Sequence, residues 1–437
     1  MGFILLIIAI ILYPINRVYS IFLFLTFSLN GFRILPDIFL DAKLTHMALG
    51  YIVVIGGYNI FHLHLNRLQK KLNNKIVYFE LFIISSILFS IVYYQYSIGE
   101  VISTGLRYSI LLGFFCFINL KDWEYKKVIN ILFYITFITS ILYCAQIITG
   151  IKLLQYSSET FDTPESNGLF KFYNSPPLGG LFLYISLFAS EYIPSKWKLA
   201  SKIVFPLALL LSMGRTSMLV TGVVIIIGFL LNDSFKKNVL ILLMILLLLI
   251  PFYSLISSRI NKEGETKNDI QMALNLNFKE IGENGGHGGT FTYRIAWIYE
   301  RAEYIFQRPF YEPLFGLGLI TDESTDAQKK YHFNFGLLNI EKGFVAQIRT
   351  PDIAWGNLLT ILGLLGSFFF LNIWFFLIRF FNKIKKTELL ALSIFLLLVA
   401  EIMSSISCAS ISEPYTLLIY FFFFTYFTNN QFKNNIQ

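Results

Sequence analysis

The chain alternates between apolar runs and short polar connections. Many of the runs approach the roughly 20 residues that a helix needs to cross a bilayer, and none alternates in the manner of a β-barrel strand. The pattern therefore predicts an all-α fold, a polytopic integral membrane bundle of about 12–14 transmembrane helices. The runs fall at about 2–13, 18–30, 46–61, 76–96, 101–120, 128–149, 177–193, 203–213, 216–231, 238–256, 354–378, 388–409 and 413–429.

One long polar segment, Arg259–Thr350, interrupts these runs. From Phe291 to Gln307 its apolar residues recur at helical spacing and Pro309 follows, so we predict an amphipathic helix that lies on the outer membrane–water interface. The predicted organisation has N-terminal transmembrane helices over 1–256, a large loop over 257–352 and C-terminal transmembrane helices over 353–437.

Composition and charge agree with a membrane protein. Of 437 residues, 55% are hydrophobic and 14% are charged, whereas a soluble domain averages about 25% charged residues. The net charge of +8 does not indicate nucleic-acid binding, because Lys and Arg concentrate in short connections, as they do in cytoplasmic loops. The long polar loop and the N-terminus are then predicted to lie outside. The basic connections are Arg67–Lys75, Lys121–Lys127, Lys196–Lys202, Lys236–Lys237 and Arg379–Lys386.

Metal and nucleotide chemistry find no support in the sequence. The three cysteines, Cys116, Cys144 and Cys408, lie in separate apolar runs and match neither a disulfide framework nor a metal site. No histidine pair has metal-ligand spacing with a carboxylate partner, and the chain has no Walker loop and no GxGxxG motif. We therefore expect no metal and no cofactor.

Arg215 and Arg294 are the leading candidates for an anion site. Arg215 follows a small-residue turn between two short apolar runs, where a guanidinium can clamp a phosphate bidentately; an interfacial snorkelling arginine is the alternative. Arg294 opens the predicted loop helix, where a solvent-facing arginine is the alternative. Together the two suit a diphosphate or a polyprenyl-linked donor. We expect Arg301 and Arg308, on the same segment, to be surface charges.

Asp352 comes just before the apolar run that begins near Ala354. We interpret it as a general base or as a carboxylate that orients an acceptor, with a plain helix N-cap as the alternative. Arg107 and Glu401 lie deep in apolar runs, where charged groups mark function by default, although a satisfied buried charge is an equal alternative. The predicted catalytic residues are Asp352, Arg215 and Arg294, and the predicted substrate-binding residues are Arg215, Arg294, Arg107, Trp297 and His332.

Four motifs in a fixed order resemble the O-antigen ligase/polymerase superfamily. They are Ser212-Met-Gly-Arg215-Thr, Arg294-Ile-Ala-Trp297, Pro313-Leu-Phe-Gly-Leu-Gly318, and Asp352 placed eleven residues before Gly363-Leu-Leu-Gly366. The resemblance covers about 205–370, more than a third of the chain. Each motif alone is weak, but their order and their placement around one long loop make the combination fairly specific.

The resemblance implies a multi-pass protein of the bacterial inner membrane with one large periplasmic loop. It implies a metal-independent glycosyltransferase that acts on glycans carried by undecaprenyl diphosphate. The implied partners are a lipid-linked glycan donor and acceptor, membrane lipids and a chain-length regulator protein, without nucleic acid. In this family arginines at the positions of Arg215 and Arg294 are thought to bind the diphosphate.

The resemblance leaves two branches open. The ligase branch joins a finished glycan to lipid A-core and typically carries a His-Asn pair before the Gly-Leu-Leu-Gly helix. Here that position reads Asp352-Ile353, which favours the Wzy-type polymerase branch, in which a growing chain is transferred to a new lipid-linked repeat unit. A polysaccharide flippase or other transporter is the alternative from another class, although a transporter more often shows inverted repeats with broken helices.

Overall fold

A computed structural model describes residues 3–39, 41–62, 64–155, 163–164, 169–212, 214–232, 290–339, 343–350 and 352–434. These residues are mainly helical. Their strands form three antiparallel pairs of two or three residues each: β1 (Ile38–Phe39) with β2 (Ala42–Lys43), β3 (Thr163–Pro164) with β4 (Phe170–Lys171), and β5 (Leu337–Asn339) with β6 (Phe344–Ala346).

Eleven α-helices precede residue 233 in the described part of the chain. They are α1 (Ile4–Ile15), α2 (Arg17–Ser28), α3 (Leu44–Tyr51), α4 (Gly57–His62), α5 (Arg67–Val92), α6 (Ile98–Leu106), α7 (Phe114–Phe117), α8 (Asp122–Thr149), α9 (Gly179–Phe188), α10 (Lys198–Leu211) and α11 (Arg215–Leu231). A π-helical turn (Ile52–Gly56) joins α3 to α4, and a 3-10 helix (Tyr108–Gly113) joins α6 to α7.

Local sequence sets the ends of the longer helices. α5 begins at a capping box, in which the Asn66 side chain accepts from the Gln69 backbone N–H and the Gln69 side chain accepts from the Asn66 backbone N–H. α8 ends at Gly150, which adopts φ +73°, a left-handed conformation that glycine reaches at little cost.

From residue 290 onward, the described part of the chain contains six α-helices. They are α12 (Thr290–Phe306), α13 (Tyr311–Phe315), α14 (Thr325–Lys330), α15 (Ala354–Ile384), α16 (Leu389–Ser404) and α17 (Leu417–Asn434). α12 confirms the helix predicted within the long loop. α17 is buried on every face from Leu417 to Thr428, as expected of a helix that is apolar all round, so it occupies the centre of the bundle.

Among the described residues, five helical segments are long and apolar enough to cross a membrane: Leu44–His62, Arg67–Val92, Ile98–Phe117, Asp122–Thr149 and Ala354–Ile384. Shorter apolar helices cover Ile4–Ile15, Arg17–Ser28, Gly179–Phe188, Thr216–Leu231 and Leu389–Ser404. The prediction of a mainly helical fold, with helices long and apolar enough to cross a membrane, is therefore confirmed. The predicted apolar run at 238–256 lies outside the described residues, and the count of about 12–14 spans stays a prediction.

Contacts between connections define two ends of the bundle. One end lies at the basic connections and is called the basic end. There the Asn66 side chain donates to the Thr428 carbonyl oxygen (3.4 Å), and the Asn429 side chain donates to the Ile118 carbonyl oxygen (3.0 Å). At the loop end, Tyr94 donates its hydroxyl to the Gly316 carbonyl at 2.5 Å, which ties the end of α5 to the long loop. The basic end thus brings Asn66, Ile118, Thr428 and Asn429 together, and the loop end brings residues 93–97 to residues 311–331.

At the loop end, the long loop packs against a break in α15. Gly363 adopts φ +62° inside this helix, and Gly316 in the loop adopts φ +71°. A Cβ atom on Gly316 would lie 2.5 Å from the Thr360 carbonyl oxygen, and one on Gly363 would lie 2.4 Å from the Gly316 nitrogen. The Leu317 N–H donates to the Thr360 oxygen at 2.6 Å. The two glycine motifs of the sequence therefore meet backbone to backbone, and this contact explains why both lack side chains there.

Candidate functional site

Arg294 and Asp352, two of the predicted catalytic residues, lie next to each other at the loop end. Nη2 of Arg294 is 3.7 Å from Oδ2 of Asp352, with 18% and 40% of the two side chains exposed. Arg294 sits near the start of α12, and Asp352 lies two residues before α15. The pairing therefore joins the loop helix to the beginning of a long apolar helix, although the two residues are far apart in sequence.

The donors of Arg294 are incompletely used. Its Nε is buried and has no hydrogen-bond partner, and 3.7 Å is longer than a charge-assisted hydrogen bond of about 2.7–2.9 Å. A buried donor without a partner is costly, so the guanidinium retains capacity for an anionic ligand that approaches from the exposed side of Asp352.

Asp352 is not the N-cap of the helix that follows it. The cap position of α15 is Ile353, and no side chain makes a capping hydrogen bond there. The backbone N–H of Asp352 donates instead to the Thr350 hydroxyl at 3.3 Å. The N-cap alternative for Asp352 is therefore wrong, because the helix starts one residue too late for its carboxylate to serve as the cap.

Arg107 lies in a cluster with Glu413 and Arg349, two residues that the sequence analysis did not identify as candidates. It forms an ion pair with Oε2 of Glu413, and Nη2 of Arg349 lies 2.5 Å from Oε1 of the same carboxylate. The Glu413 side chain is 11% exposed, against 37% for Arg107 and 21% for Arg349. One nearly buried carboxylate thus bridges two arginines, one directly after α6 and one at the end of the long loop.

Trp297 is fully buried, and its ring is part of the packing of the loop against α15. A Cβ atom on Gly356 would lie 2.3 Å from the Trp297 ring. The predicted substrate-binding role of Trp297 would require the ring to become exposed. Within the described residues it contacts α15 and Arg301 instead.

Arg301 is not the surface charge that the helical pattern predicted. It is fully buried, with its guanidinium 4.2 Å from the ring centre of Trp297 and 4.3 Å from that of Phe333. Its nitrogens donate to the carbonyl oxygens of Phe335 (2.7 Å) and Gln347 (3.1 Å). The expectation failed because an ion pair with Glu300 (2.8 Å), stacking between two rings and bonds to carbonyl oxygens compensate the desolvation of the cation. Arg308 is exposed, as expected.

Asp322 organises the backbone that carries Arg349. Its carboxylate accepts hydrogen bonds from the N–H groups of Gln347 (2.6 Å), Ile348 (2.6 Å) and Arg349 (3.1 Å). Burial raises the pKa of Asp322 to about 6, against the lowering effect of these hydrogen bonds. Arg301 and Asp322 both bond to the Gln347 backbone, so these two charged side chains fix the segment between β6 and α15.

The remaining predicted residues are placed as follows. Arg215 is the first residue of α11, and its side chain lies outside what the structure describes. His332 is exposed and follows α14, and Glu401 lies near the end of α16. Among the described residues, no group of three or more His, Cys, Asp or Glu side chains could hold a metal ion.

Sequence reasoning missed Glu413, Arg349 and Asp322. Glu413 had a signal, since it stands with Pro414 in the short break between two apolar runs, where a charge next to the membrane calls for a partner. Arg349 and Asp322 had no such signal, because their roles depend on the path of the loop, which brings together residues that are 25 or 26 positions apart in sequence. A comparison with models of known protein families and with characterised proteins finds no match for this chain.

Proposed function

We propose that this protein polymerises oligosaccharide repeat units linked to undecaprenyl diphosphate, for an O-antigen or a capsular polysaccharide. In this proposal the chain spans the bacterial inner membrane many times, and its long loop faces the periplasm. The five long apolar helices and the basic connections support the membrane placement. The ordered motifs around the loop support the reaction class, as a resemblance.

The observation that carries the proposal is the Arg294–Asp352 pair. Transfer of a glycan breaks the bond between its anomeric carbon and the diphosphate oxygen, and the electron pair leaves with the diphosphate. The acceptor hydroxyl forms the new glycosidic bond and gives up its proton. A guanidinium with an unused donor can stabilise the negative charge that develops on the leaving group. A carboxylate beside it can accept the proton of the acceptor hydroxyl.

Each predicted catalytic residue has a role in this scheme. Arg294 and Arg215 bind the diphosphate, for which the planar guanidinium offers two parallel donors. Asp352 orients the acceptor hydroxyl and takes its proton. The diphosphate supplies the free energy of transfer, so the reaction requires no cofactor. The remaining proposed partners are membrane lipids and a chain-length regulator protein.

The polymerase branch is preferred to the ligase branch because of Asp352-Ile353. A carboxylate at this position can serve as a base, whereas the ligase branch typically has a His-Asn pair there. His332, the nearest histidine before it in the chain, is exposed and lies 20 positions away.

Deletion of the gene, followed by electrophoresis of surface glycans, tests the proposal. We expect the ladder of glycan lengths to collapse to a single repeat unit. Long glycan that accumulates unattached to lipid A-core would indicate a ligase instead, and loss of all periplasmic repeat units would indicate a flippase. Complementation with the wild-type gene should restore the ladder, as should the Arg308→Ala variant, which alters an exposed arginine of the same loop.

A further inference from the structure

A cavity of about 710 Å³ lies beside the first half of α8. This volume falls within the range of about 300–1,000 Å³ that is usual for ligand pockets. Its walls come from α8, from the connection between α9 and α10, and from the first residue of α10. The two helices α8 and α10 pack against each other, with the ring centres of Phe137 and Phe205 6.0 Å apart. We call this cavity the α8 groove, and its polar lining includes Lys126, Asn130, Tyr134, Glu191, Ser195 and Lys198.

The α8 groove lies at the basic end of the bundle. The hydroxyl of Tyr192, which also lines the groove, is 3.4 Å from the hydroxyl of Tyr426 near the end of α17. In the same part of α17, Asn429 donates to the hydroxyl of Tyr125 (3.4 Å) and to the Ile118 carbonyl oxygen (3.0 Å). In the proposed membrane placement, the groove is therefore at the level of the lipid headgroups.

The groove holds charges of both signs that do not neutralise each other. Lys198 and Glu191 both line it, yet neither forms an ion pair within the part of the chain that the structure describes. Lys126 pairs with Asp122 at 2.8 Å, and an ammonium group has three donors, so it keeps donors for a further partner. The groove therefore offers separate places for a negative and a positive group of one ligand.

The polar end of the groove continues into an apolar strip. An α-helix rises 1.5 Å per residue, so Tyr134 lies about 12 Å further along α8 than Lys126. Tyr134, Ile138 and Ile141 share a helix face with Asn130 by their spacing, and all three are exposed. A ligand that fits both parts has a charged head and an apolar tail.

We propose that the α8 groove binds one phospholipid whose headgroup carries a phosphate and a terminal primary ammonium group, as in phosphatidylethanolamine. Lys198 and Lys126 bind the phosphate, as basic pockets between membrane helices bind lipid headgroups. Glu191 accepts hydrogen bonds from the ammonium group, and the acyl chains follow the exposed apolar face of α8. A lipid with a phosphate alone would leave Glu191 without a cation. The inference rests on the proposed membrane placement and uses none of the residues assigned to polymerisation.

Native mass spectrometry of the full-length protein, released from detergent micelles, tests the proposal. Dioleoyl phosphatidylethanolamine and dioleoyl phosphatidylglycerol are titrated separately, and the Kd of the first bound lipid is measured. We expect wild-type protein to bind phosphatidylethanolamine about threefold or more tightly than phosphatidylglycerol. Lys198→Gln should weaken both lipids by at least about fivefold, whereas Glu191→Gln should weaken phosphatidylethanolamine alone and abolish the preference.

The matched control is Lys386→Gln, which removes an exposed lysine of another basic connection and should bind both lipids as wild type does. Neither Lys198 nor Glu191 has an ion-pair partner in the described part of the chain. Glutamine at either position therefore leaves no opposite charge unpaired, and both variants keep the fold, with thermal midpoints in lipid-free detergent equal to that of the control.

Lys198→Gln that binds both lipids as the Lys386→Gln control does would overturn the groove as a phosphate site. If Lys198→Gln weakens both lipids while Glu191→Gln weakens neither, the ammonium assignment is overturned and the site takes an anionic phospholipid. The glycan ladder after gene deletion tests the polymerase proposal separately, because these titrations contain no glycan substrate.

Discussion

Nη2 of Arg294 lies 3.7 Å from Oδ2 of Asp352, and this contact connects the loop helix with the start of α15. The arginine has a buried nitrogen without a partner, and the aspartate is the more exposed of the two side chains. The pair therefore presents a donor and an acceptor side by side, which suits a reaction that must stabilise an anion and remove a proton.

The first prediction concerns the geometry of the Arg294 cation. Arg294→Lys should lower polymer formation nearly as much as Arg294→Ala, because an ammonium group cannot reproduce the planar pair of donors. We expect a loss of at least about tenfold, measured as polymer length and amount on gels at equal protein level. Arg308→Lys is the matched control. A normal ladder from Arg294→Lys would show that positive charge alone is sufficient.

The second prediction concerns the base. Asp352→Asn keeps the size and polarity of the side chain but removes its ability to take a proton, so polymerisation should fall by a factor on the order of 10²–10⁴. Since Ile353 is the cap of α15, neither Asn nor Ala at position 352 should lower helix stability through capping. Activity of Asp352→Asn close to that of wild type would remove the carboxylate from the chemistry.

The third prediction concerns topology. In a Cys408→Ser background, in which the remaining Cys116 and Cys144 are buried, Lys329→Cys should react with an impermeant thiol reagent added from outside. Lys386→Cys should react only after the membrane is opened. Both lysines are exposed, whereas Ser324 in the same loop is buried and would be a poor labelling site. External labelling of Lys386→Cys would reverse the proposed orientation.

The fourth prediction concerns the bridging carboxylate. Glu413→Ala leaves Arg107 and Arg349 without their shared partner, which should lower the free energy of unfolding by roughly 1–3 kcal/mol, because both arginines are partly exposed to solvent. The expected readout is a clear drop in the thermal midpoint of the purified protein. Glu303→Ala, on an exposed face of α12, should change stability by no more than about 0.5 kcal/mol. Equal midpoints for the two variants would contradict a structural role for the bridge.

The fifth prediction concerns pH. Burial raises the pKa of Asp322 from 3.8 to about 6, so the folded protein holds this proton more tightly than the unfolded chain does. The contribution of Asp322 to stability is then greatest below pH 3.8 and declines as the pH rises through about 6, by at most about 3 kcal/mol. Thermal midpoints of wild-type protein and Asp322→Asn should therefore diverge between pH 4 and pH 7, measured in parallel. Parallel curves would exclude this titration.

The helices were largely predictable because they follow from local pattern. The runs at 76–96, 128–149 and 354–378 correspond to α5, α8 and α15, and the loop helix was predicted to within one residue at each end. The proximity of Arg294 and Asp352 was expected only through the resemblance, since hydropathy carries no information about which loop residues meet.

The partners of the charged residues were not predictable, for a physical reason. Arg107 and Glu413 are 306 positions apart, and the partner of a buried charge depends on how helices pack. Arg301 lies on the side of α12 where the helical periodicity predicts polar residues. The periodicity alone could not show whether that side faces solvent or, as in the structure, the rings of Trp297 and Phe333. Only the folded loop shows that this cation is internal.

The backbone contact between Gly316 and Gly363 has a consequence for how this protein can be altered. A side chain on either glycine would clash with the backbone around the other glycine. The loop and α15 must therefore be exchanged together. A chimera that takes its long loop from another protein should fold only if it also takes the segment around Thr360–Gly363, so domain-swap experiments on substrate choice should place their junctions beyond the break in α15.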